Sequence, residues 1–506
     1  MAKRNTLPWN GDSRYPLWAL AFLAFFYASI SFVNHSCFRT FGLDLGLYTN
    51  ALYDYAHFQF NDSSSFRSVP ENLLGDHFDL LLPLFSPFSW IFGSWTLLLI
   101  QWAVLLFGAC GIYRFSILRT GRILDATLLM LVFGLHFGIT GALSFDYHSN
   151  VVAAALLPWF FVGLQERRPL LQWLTFTLIL FARENMSLWM VFVATGACWY
   201  YRDPATRKAL LLQSLIAGGW FMLVSAWWMP QLHEGGVLSQ FRYSVLGKDI
   251  ASALTTIVTD PALVIRTLFT DHLPVPGFKP GIKQEFWFIF LLSGAWILLR
   301  VPGFIWMAVP ILLQKLLNDQ VQVWGVNDHY NAEFAPLLAI GGAIAAGTVQ
   351  RVRLRTVLLV GLLVLDIAAT IRTMDRVQAF VRRENLRVYQ APHWKSVVDK
   401  KALSEALGRI PADASVSAHT NLHPRVAWRD SALIFPKMAG CRYVLLLEQG
   451  NPFPFTQEDY RLQLDSLRHS GCLFARIRSG WGDLAATEVM SQDGYWDHES
   501  LIQSRE

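Results

Sequence analysis

Long apolar runs separated by short basic clusters constrain this chain more than any other feature of its sequence. The first run, residues 17–33, follows a basic segment, and later runs end near arginine clusters. About 20 apolar residues suffice for a helix that spans a bilayer, and basic residues between spans mark the cytoplasmic side. With 53% hydrophobic and only 16% charged residues, the chain has the composition of an α-helical polytopic membrane protein.

The basic clusters also set the topology. They predict about eleven spans within residues 1–375, with a cytoplasmic N-terminus and external loops at residues 34–79 and 229–283. Since the net charge of +5 is carried by these clusters, it informs orientation, and we expect no nucleic-acid partner. The apolar run at residues 170–201 is broken by Arg183 and Glu184, which predicts two short helices that meet inside the protein.

The odd number of spans places residues 376–506 outside, in the periplasm of a bacterial inner-membrane protein. This segment is richer in charge and predicts a small α/β domain that covers the active face or recruits an acceptor. Strand patterns cover residues 415–418, 432–435, 443–447 and 473–477, and helical patterns cover residues 397–410 and 457–469. Cys441 and Cys472 are the two cysteines of this domain, and a disulfide between them would suit an oxidising compartment.

Polar clusters fall at the external face of this topology. They contain Asp44, Asp76-His77, Asp146-Tyr147-His148, Arg183-Glu184 and Asp328-His329-Tyr330. An ionisable group at bilayer depth costs about 2.5 to 3.5 kcal/mol on insertion scales, so such groups usually face a cavity and mark function. We therefore expect the clusters to converge on one external site.

The same residues also have structural interpretations. An Asp before an apolar run commonly caps a helix, which would explain Asp44 and Asp146. Arg183 and Glu184 would form an ion pair that locks two half-helices. The others would be ordinary loop or interfacial side chains: His77, His148, His329 and Tyr330.

A carboxylate, several imidazoles and an arginine beside the lipid suit the transfer of a group from a polyprenyl phosphate. Asp44 would be the catalytic base that deprotonates an acceptor hydroxyl, while Arg183 and His148 would bind the lipid phosphate. The other lining residues would be His77, Asp146, Glu184, His329 and Tyr330. A divalent metal held by Asp44 with His77 or His148 is an open alternative, since no ligand spacing in the sequence is diagnostic.

The order of several motifs carries a resemblance to a known family. The motifs are Gly42-Leu43-Asp44-Leu45-Gly46, Gly75-Asp76-His77-Phe78, Phe145-Asp146-Tyr147-His148, Arg183-Glu184-Asn185, His329-Tyr330 with Pro336, and Ile410-Pro411-Ala412-Asp413-Ala414-Ser415-Val416-Ser417. Over nearly its whole length the chain resembles an uncharacterised family of prokaryotic polytopic membrane proteins, known as a domain of unknown function. That family is similar in layout to the GT-C superfamily of membrane glycosyltransferases.

The resemblance implies an acidic residue in the first external loop as catalytic base or metal ligand, which falls on Asp44. It implies a glycosyltransferase that moves a sugar from a polyprenyl-phosphate donor to a glycan, lipid or protein acceptor on the periplasmic face. The chain departs from the family pattern at Ser149-Asn150 and Asn185, where acidic residues are common, and Asp44 lacks the acidic neighbour often found in GT-C proteins. The alternatives are a transporter or lipid flippase, and a non-catalytic envelope assembly factor.

Overall fold

Apolar helices build the larger part of the molecule, up to residue 375. The computed structural model describes residues 14–61, 72–232, 241–274, 280–378, 383–396, 398–438, 440–447, 452, 455–469, 473–479 and 482–488. The helices of this part are α1 (Tyr15–Ser36), α2 (Leu47–Ala56), α3 (Leu81–Phe92), α4 (Thr96–Thr120), α5 (Ile123–Leu135), α6 (Phe137–Leu143), α7 (Ser149–Gln165), α8 (Pro169–Ala182), α9 (Glu184–Ala197), α10 (Pro204–Leu223), α11 (Met229–Leu232), α12 (Ile250–Thr259), α13 (Pro261–Phe269), α14 (Ile282–Leu292), α15 (Pro302–Leu316), α16 (Val321–Trp324), α17 (Phe334–Gly347) and α18 (Val352–Asp375).

Several helical stretches are long and apolar enough to cross a membrane. Within the described residues there are four: Tyr15–Ser36, Leu81–Thr120, Pro204–Leu232 and Val352–Asp375. The number is six if each of the bent pairs α5–α6 and α12–α13, bent by 46° and 97°, is one span. The chain is thus a membrane protein with several apolar helices. The predicted count of about eleven spans is not confirmed, because α7, α8, α15 and α17 are apolar but have only 10–17 residues.

Local breaks that the sequence predicts are confirmed. Helices α3 and α4 are separate, and Gly93 between them has a φ of 51°, a left-handed conformation that glycine adopts readily. Helices α8 and α9 meet at Arg183, whose backbone is extended with φ −167° and ψ 152°. The two amphipathic stretches of the second external loop are helices α12 and α13.

Helix α7 lies at the centre of the bundle, where it packs against α4 and α8. Its residues from Ser149 to Pro158 are all buried. A Cβ at Gly108 of α4 would lie 2.7 Å from the backbone oxygen of Ala155, and one at Gly163 would lie 2.8 Å from the backbone nitrogen of Gln172. These glycines allow the helices to approach closely, as small residues do in membrane proteins.

One group of arginines lies at the end of the bundle away from the polar clusters, and a second group lies where α18 ends. Arg114 near the end of α4 pairs with Glu166 after α7, and Arg355 of α18 donates from Nε to Asp125 Oδ2 of α5 at 2.7 Å. The opposite ends of α5–α6 and α7 lead into the loop that contains Asp146 and His148. The end of these helices that carries Arg114 and Arg355, the arginine-rich end, therefore lies opposite the polar clusters.

The chain after residue 375 forms a small α/β unit. Its strands are β1 (Val416–Ala418), β2 (Ala432–Ile434), β3 (Tyr443–Leu447), β4 (Leu473–Ser479) and β5 (Gly482–Glu488), and its helices are α19 (Ala391–Trp394), α20 (Lys400–Gly408), α21 (His423–Val426) and α22 (Gln457–His469). The sheet order is β2-β1-β3-β5-β4. Strand β1 pairs in parallel with β2 and β3, and Val416 lies opposite Ala432 and Tyr443, whereas β5 is antiparallel to β3 and β4.

The predicted strands and helices of this unit are confirmed, and β5 is an addition to them. Strands β1 and β2 are buried throughout and β3 is buried except at Tyr443, as expected where parallel pairing is covered on both faces. The Cys441 side chain is buried, and Cys472, the other half of the predicted disulfide, lies outside the described residues.

Candidate functional site

Asp44 lies in a short π-helical turn, Gly42–Gly46, just before α2. Its side chain is 24% exposed, and its Oδ1 atom lies 3.3 Å from Nε2 of His148. Within the described residues, neither this turn nor α2 has a side-chain hydrogen bond at its N-cap. The helix-cap interpretation of Asp44 is therefore not supported, and its carboxylate contacts the polar cluster instead.

Asp146 holds the Asp44 turn in place. Its Oδ2 accepts a hydrogen bond from the backbone N–H of Phe41 at 2.7 Å, and its φ is 61°, a left-handed conformation that Asp tolerates better than most residues. Burial raises the pKa of Asp146 well above its usual range, although the backbone N–H groups of Phe41 and Leu45 oppose the shift. Asp146 thus orients the turn, and it does not cap α7, whose N-cap is His148.

Gln101 of α4 forms hydrogen bonds with the backbone of the same loop on both sides of Tyr147. Its Nε2 donates to the backbone oxygen of Asp146 at 2.7 Å, and its Oε1 accepts from the backbone N–H of His148 at 2.9 Å. Gln101 is 1% exposed. Both amide atoms are satisfied, so the position of His148 is fixed relative to the bundle.

The imidazole rings of His148 and His329 stack on each other, with centroids 3.5 Å apart and an interplanar angle of 14°. The ring of Phe145 lies near both imidazoles, with centroid distances of 5.5 and 5.9 Å, and the ring of Tyr330 is tilted by 41° against His329. Burial lowers the pKa of the His148 imidazole, although the Asp44 carboxylate opposes the shift. Burial, together with His148 and Arg183, lowers the pKa of His329 well below its usual value. Both shifts favour the neutral form of the imidazoles, and two protonated rings at this distance would repel.

Arg183 brings a buried positive charge to the site. It is 7% exposed, and its Nε has no hydrogen-bond partner among the described residues. The groups that act on it electrostatically include Tyr48, Glu184 and Tyr330. A buried guanidinium without a hydrogen-bonded partner is costly, so this group is suited to an anionic ligand.

Glu184 does not form the expected ion pair with Arg183 but reaches the first loop. Its Oε2 accepts from the backbone N–H of Phe78 at 3.1 Å, and its Oε1 lies 3.4 Å from Nδ1 of His77. His77 Nε2 in turn lies 3.7 Å from Oδ2 of Asp76. These contacts join the loop before α3 to the α8–α9 break, and they place His77 between two carboxylates.

The loop before α17 supplies the last segment of the site. A Cβ at Gly138 would lie 2.1 Å from the backbone oxygen of Asn331, so glycine is needed for α6 to approach this loop. Asn150 donates from Nδ2 to the backbone oxygen of His329 at 3.1 Å and to Glu333 Oε1 at 2.8 Å. Asn150 therefore anchors the loop that carries His329.

Several buried polar residues near this cluster were not among the predicted site residues. Besides Asn150, they include Asp79, Gln101, Lys315 and Glu333. Burial raises the pKa of Asp79 to about 7, although the Leu81 backbone N–H opposes the shift. Lys315 donates from Nζ to the backbone oxygens of Val323 and Gly325 at 2.6 and 2.5 Å. A lone charge in an apolar run, such as Lys315, is the one signal that the sequence offered for any of them.

The predicted site residues are therefore brought together, though their roles remain predictions. The metal alternative has no support in this geometry, because the described residues contain no group of three or more His, Cys, Asp or Glu side chains that could hold an ion. Asp44 and His148 form a pair, whereas His77 contacts Glu184 and Asp76.

The α/β unit contacts the Asp44 turn directly. The backbone N–H of Gly42 donates to Thr420 Oγ1 at 3.2 Å, and a Cβ at Gly46 would lie 2.1 Å from Nδ1 of His423. Asn421 Nδ2 also donates to the backbone oxygen of Thr40 at 3.2 Å. The turn is thus held between Asp146 of the bundle and the segment that follows β1.

Residues 34–449 match a family model described as a predicted membrane protein, DUF2079. The matched segment includes the whole polar cluster and the α/β unit as far as β3. A comparison with curated proteins finds no match. Because the family model covers most of its length, the chain belongs to the DUF2079 family of membrane proteins.

Proposed function

We propose that this protein is a GT-C-type glycosyltransferase of the bacterial inner membrane, which moves a sugar from a polyprenyl-phosphate donor to an envelope acceptor. In this proposal the chain has about eleven spans, a cytoplasmic N-terminus and a periplasmic α/β unit. The arginines at the end of the bundle opposite the polar cluster, such as Arg114 and Arg355, support this orientation, since basic residues favour the cytoplasmic side. The arginines at the other end of α18 do not follow this rule.

The observation that carries the proposal is the buried guanidinium of Arg183 in the same polar cluster as the Asp44 carboxylate. Arg183 is 7% exposed and its Nε lacks a partner within the described part of the chain. A phosphate would supply that partner, because guanidinium groups bind phosphate oxygens with charge-assisted hydrogen bonds. The apolar helices around the site would accommodate the polyprenyl chain.

The chemistry follows from the contacts of Asp44. With its proton on Nε2, His148 donates to Asp44 Oδ1 across 3.3 Å and orients the carboxylate. Asp44 Oδ2 then takes the proton of the acceptor hydroxyl, whose oxygen forms a bond to the anomeric carbon. The bond from that carbon to the phosphate oxygen breaks, and the electron pair leaves with the polyprenyl phosphate, whose charge Arg183 stabilises.

The Asp44→Asn variant tests this assignment. It keeps the size of the side chain but removes the base, so we expect at least about a hundredfold loss of sugar transfer. The assay uses membranes with radiolabelled polyprenyl-phosphate sugars, and expression is checked by immunoblot. The control is Asp203→Asn, because Asp203 caps α10 through Thr206 at the arginine-rich end. Full turnover by Asp44→Asn would remove Asp44 from the mechanism.

One observation favours the transporter alternative. Asp366 lies in α18, which is a candidate span, and neither of its buried carboxylate oxygens has a partner among the described residues. Isolated carboxylates in spans often mark ion or proton paths. If the protein is a transporter, Asp366→Asn abolishes flux in proteoliposomes while Asp44→Asn does not; the glycosyltransferase proposal expects sugar transfer to survive Asp366→Asn.

A further inference from the structure

A polar cavity lies where the last membrane helix ends. It has a volume of about 580 Å³ and is lined by Glu285, Arg372, Asp375, Arg376, Arg383 and Arg387, together with Val377 and Gln378. Glu285 belongs to the first turn of α14 and Arg372 to the last turn of α18. Since α18 is a candidate span, the cavity lies at the boundary of the membrane.

The walls of this cavity are built by hydrogen bonds. Glu285 accepts from Arg372 Nη2 at 3.0 Å through Oε1 and from the Gln378 backbone N–H at 2.7 Å through Oε2. Arg387 donates from Nη2 to the backbone oxygen of Asp375 at 2.8 Å, and its Nε lies 3.2 Å from the Asp375 carboxylate. The side of the cavity near α18 is therefore fixed on two helices.

Positive charge exceeds negative charge in this cavity. Two of the arginines, Arg372 and Arg387, are paired with carboxylates, whereas Arg376 and Arg383 have no ion pair within the described ranges. In addition, Nη1 of Arg372 is buried and has no hydrogen-bond partner in the part of the chain that the structure describes. Four arginines against two carboxylates leave a formal surplus of two positive charges.

We propose that this cavity binds a phosphate group, supplied either by an anionic lipid headgroup or by a soluble phosphate compound. Arginines present planar arrays of donors that match phosphate oxygens. The surplus of two positive charges offsets the single charge of a lipid phosphodiester or the two charges of a phosphate monoester. The lipid source agrees with the position at the end of a span, where headgroups lie. The cavity shares no residue with the Asp44 cluster, so this proposal stands apart from the glycosyltransferase.

The test uses the full-length protein purified in detergent micelles and native mass spectrometry. The probes are phosphatidylglycerol, diacylglycerol, which lacks the phosphate, and inorganic pyrophosphate as a competitor. We expect one saturable phosphatidylglycerol adduct, no diacylglycerol adduct, and at least a tenfold rise in Kd for the Arg376→Gln/Arg383→Gln variant. The matched control, Arg351→Gln/Arg353→Gln, changes two exposed arginines at the other end of α18 and should bind as the unchanged protein does.

The measurements with phosphatidylglycerol and with pyrophosphate distinguish a lipid headgroup from a soluble phosphate compound. Arginine-dependent binding of phosphatidylglycerol assigns the cavity to a lipid headgroup, and arginine-dependent binding of pyrophosphate alone assigns it to a soluble phosphate. Equal binding of both probes to the double variant and to the unchanged protein would overturn the proposal. A thermal unfolding curve confirms that the variant is folded, and Arg376→Lys/Arg383→Lys, which keeps the charge, should recover part of the affinity.

Discussion

Buried carboxyl groups near Arg183 make the stability of the molecule sensitive to pH. Asp79 is 1% exposed, and burial raises its pKa from 3.8 to about 7. Because the folded state holds the proton more tightly than the unfolded chain, this group contributes stability that is complete below pH 3.8. That contribution is lost as the pH rises towards the pKa of the folded state.

Replacement of Asp79 by Asn should remove this pH dependence. Asn keeps the oxygen that accepts from the Leu81 backbone N–H at 2.9 Å but cannot ionise. We expect Asp79→Asn to match the unchanged protein near pH 4 and to be more stable above pH 7, by on the order of 1 to 4 kcal/mol. Thermal unfolding in detergent, followed by circular dichroism from pH 4 to 8, measures the difference. The exposed Asp413→Asn variant is the control, and an offset that does not vary with pH would contradict the expectation.

Individual residues of the cluster differ in how far the sequence could predict them. Asp44, His148 and Arg183 stand out because each is a polar residue at the edge of an apolar run. Gln101 carries no such signal, since a glutamine near the middle of an apolar helix resembles any other packing residue until its partners are known. The role of Asp146 in holding the Phe41 N–H depends on a left-handed backbone, which no sequence pattern indicates.

At the level of elements, the Asp44 turn depends on a close contact with the α/β unit. Gly46 has no side chain, and the His423 ring occupies the space where one would lie. The ring is fully buried, and its Nε2–H donates to the backbone oxygen of Ala432, 3.3 Å away. An added methyl group must therefore displace either the ring or the turn.

Gly46→Ala should reduce sugar transfer at least about tenfold and destabilise the protein by about 1 to 3 kcal/mol, because overpacking forces the turn to shift. The double variant Gly46→Ala/His423→Ala removes the ring atoms that the new methyl group would contact, so we expect it to recover activity relative to Gly46→Ala. Transfer assays and unfolding temperatures on the two single variants and the double variant complete the cycle. Additive losses would show that His423 does not hold the turn.

Periodicity and the lengths of the apolar runs predicted most elements, including the α8–α9 break and the short strands of the α/β unit, but not the contacts between them. The sequence suggested that the α/β unit covers the active face or recruits an acceptor. Its contact with the Asp44 turn joins residues that are 378 positions apart, Gly42 and Thr420. Spacing along the chain gives no information on such a pair, because only the folded geometry brings the two segments together.

For the whole molecule, the proposed orientation makes a direct prediction. Ala205, at the start of α10, and Ala412, before β1, are both exposed and would lie on opposite sides of the membrane. A membrane-impermeant maleimide applied to intact spheroplasts should label Ala412→Cys, and it should label Ala205→Cys only after lysis. The unchanged protein gives the background from its own cysteines. Labelling of Ala205→Cys in intact spheroplasts would reverse or refute the topology.

The number of spans was harder to predict than the presence of a membrane bundle. Hydropathy identifies apolar segments, yet α7, α8, α15 and α17 have only 10–17 residues. A helix that crosses a bilayer of full thickness needs about 20. Short helices that pack inside a bundle and helices that cross it at a thin point have the same composition. Composition therefore sets the class of the protein but not its count of crossings.

The ring of His423 against the missing side chain of Gly46 also bears on how this family can diverge. A larger side chain at position 46 requires a smaller one at position 423, so the first loop and the segment after β1 should change together among relatives. The turn that carries the carboxylate and its distant support would then be inherited as a pair, even where the rest of both segments drifts.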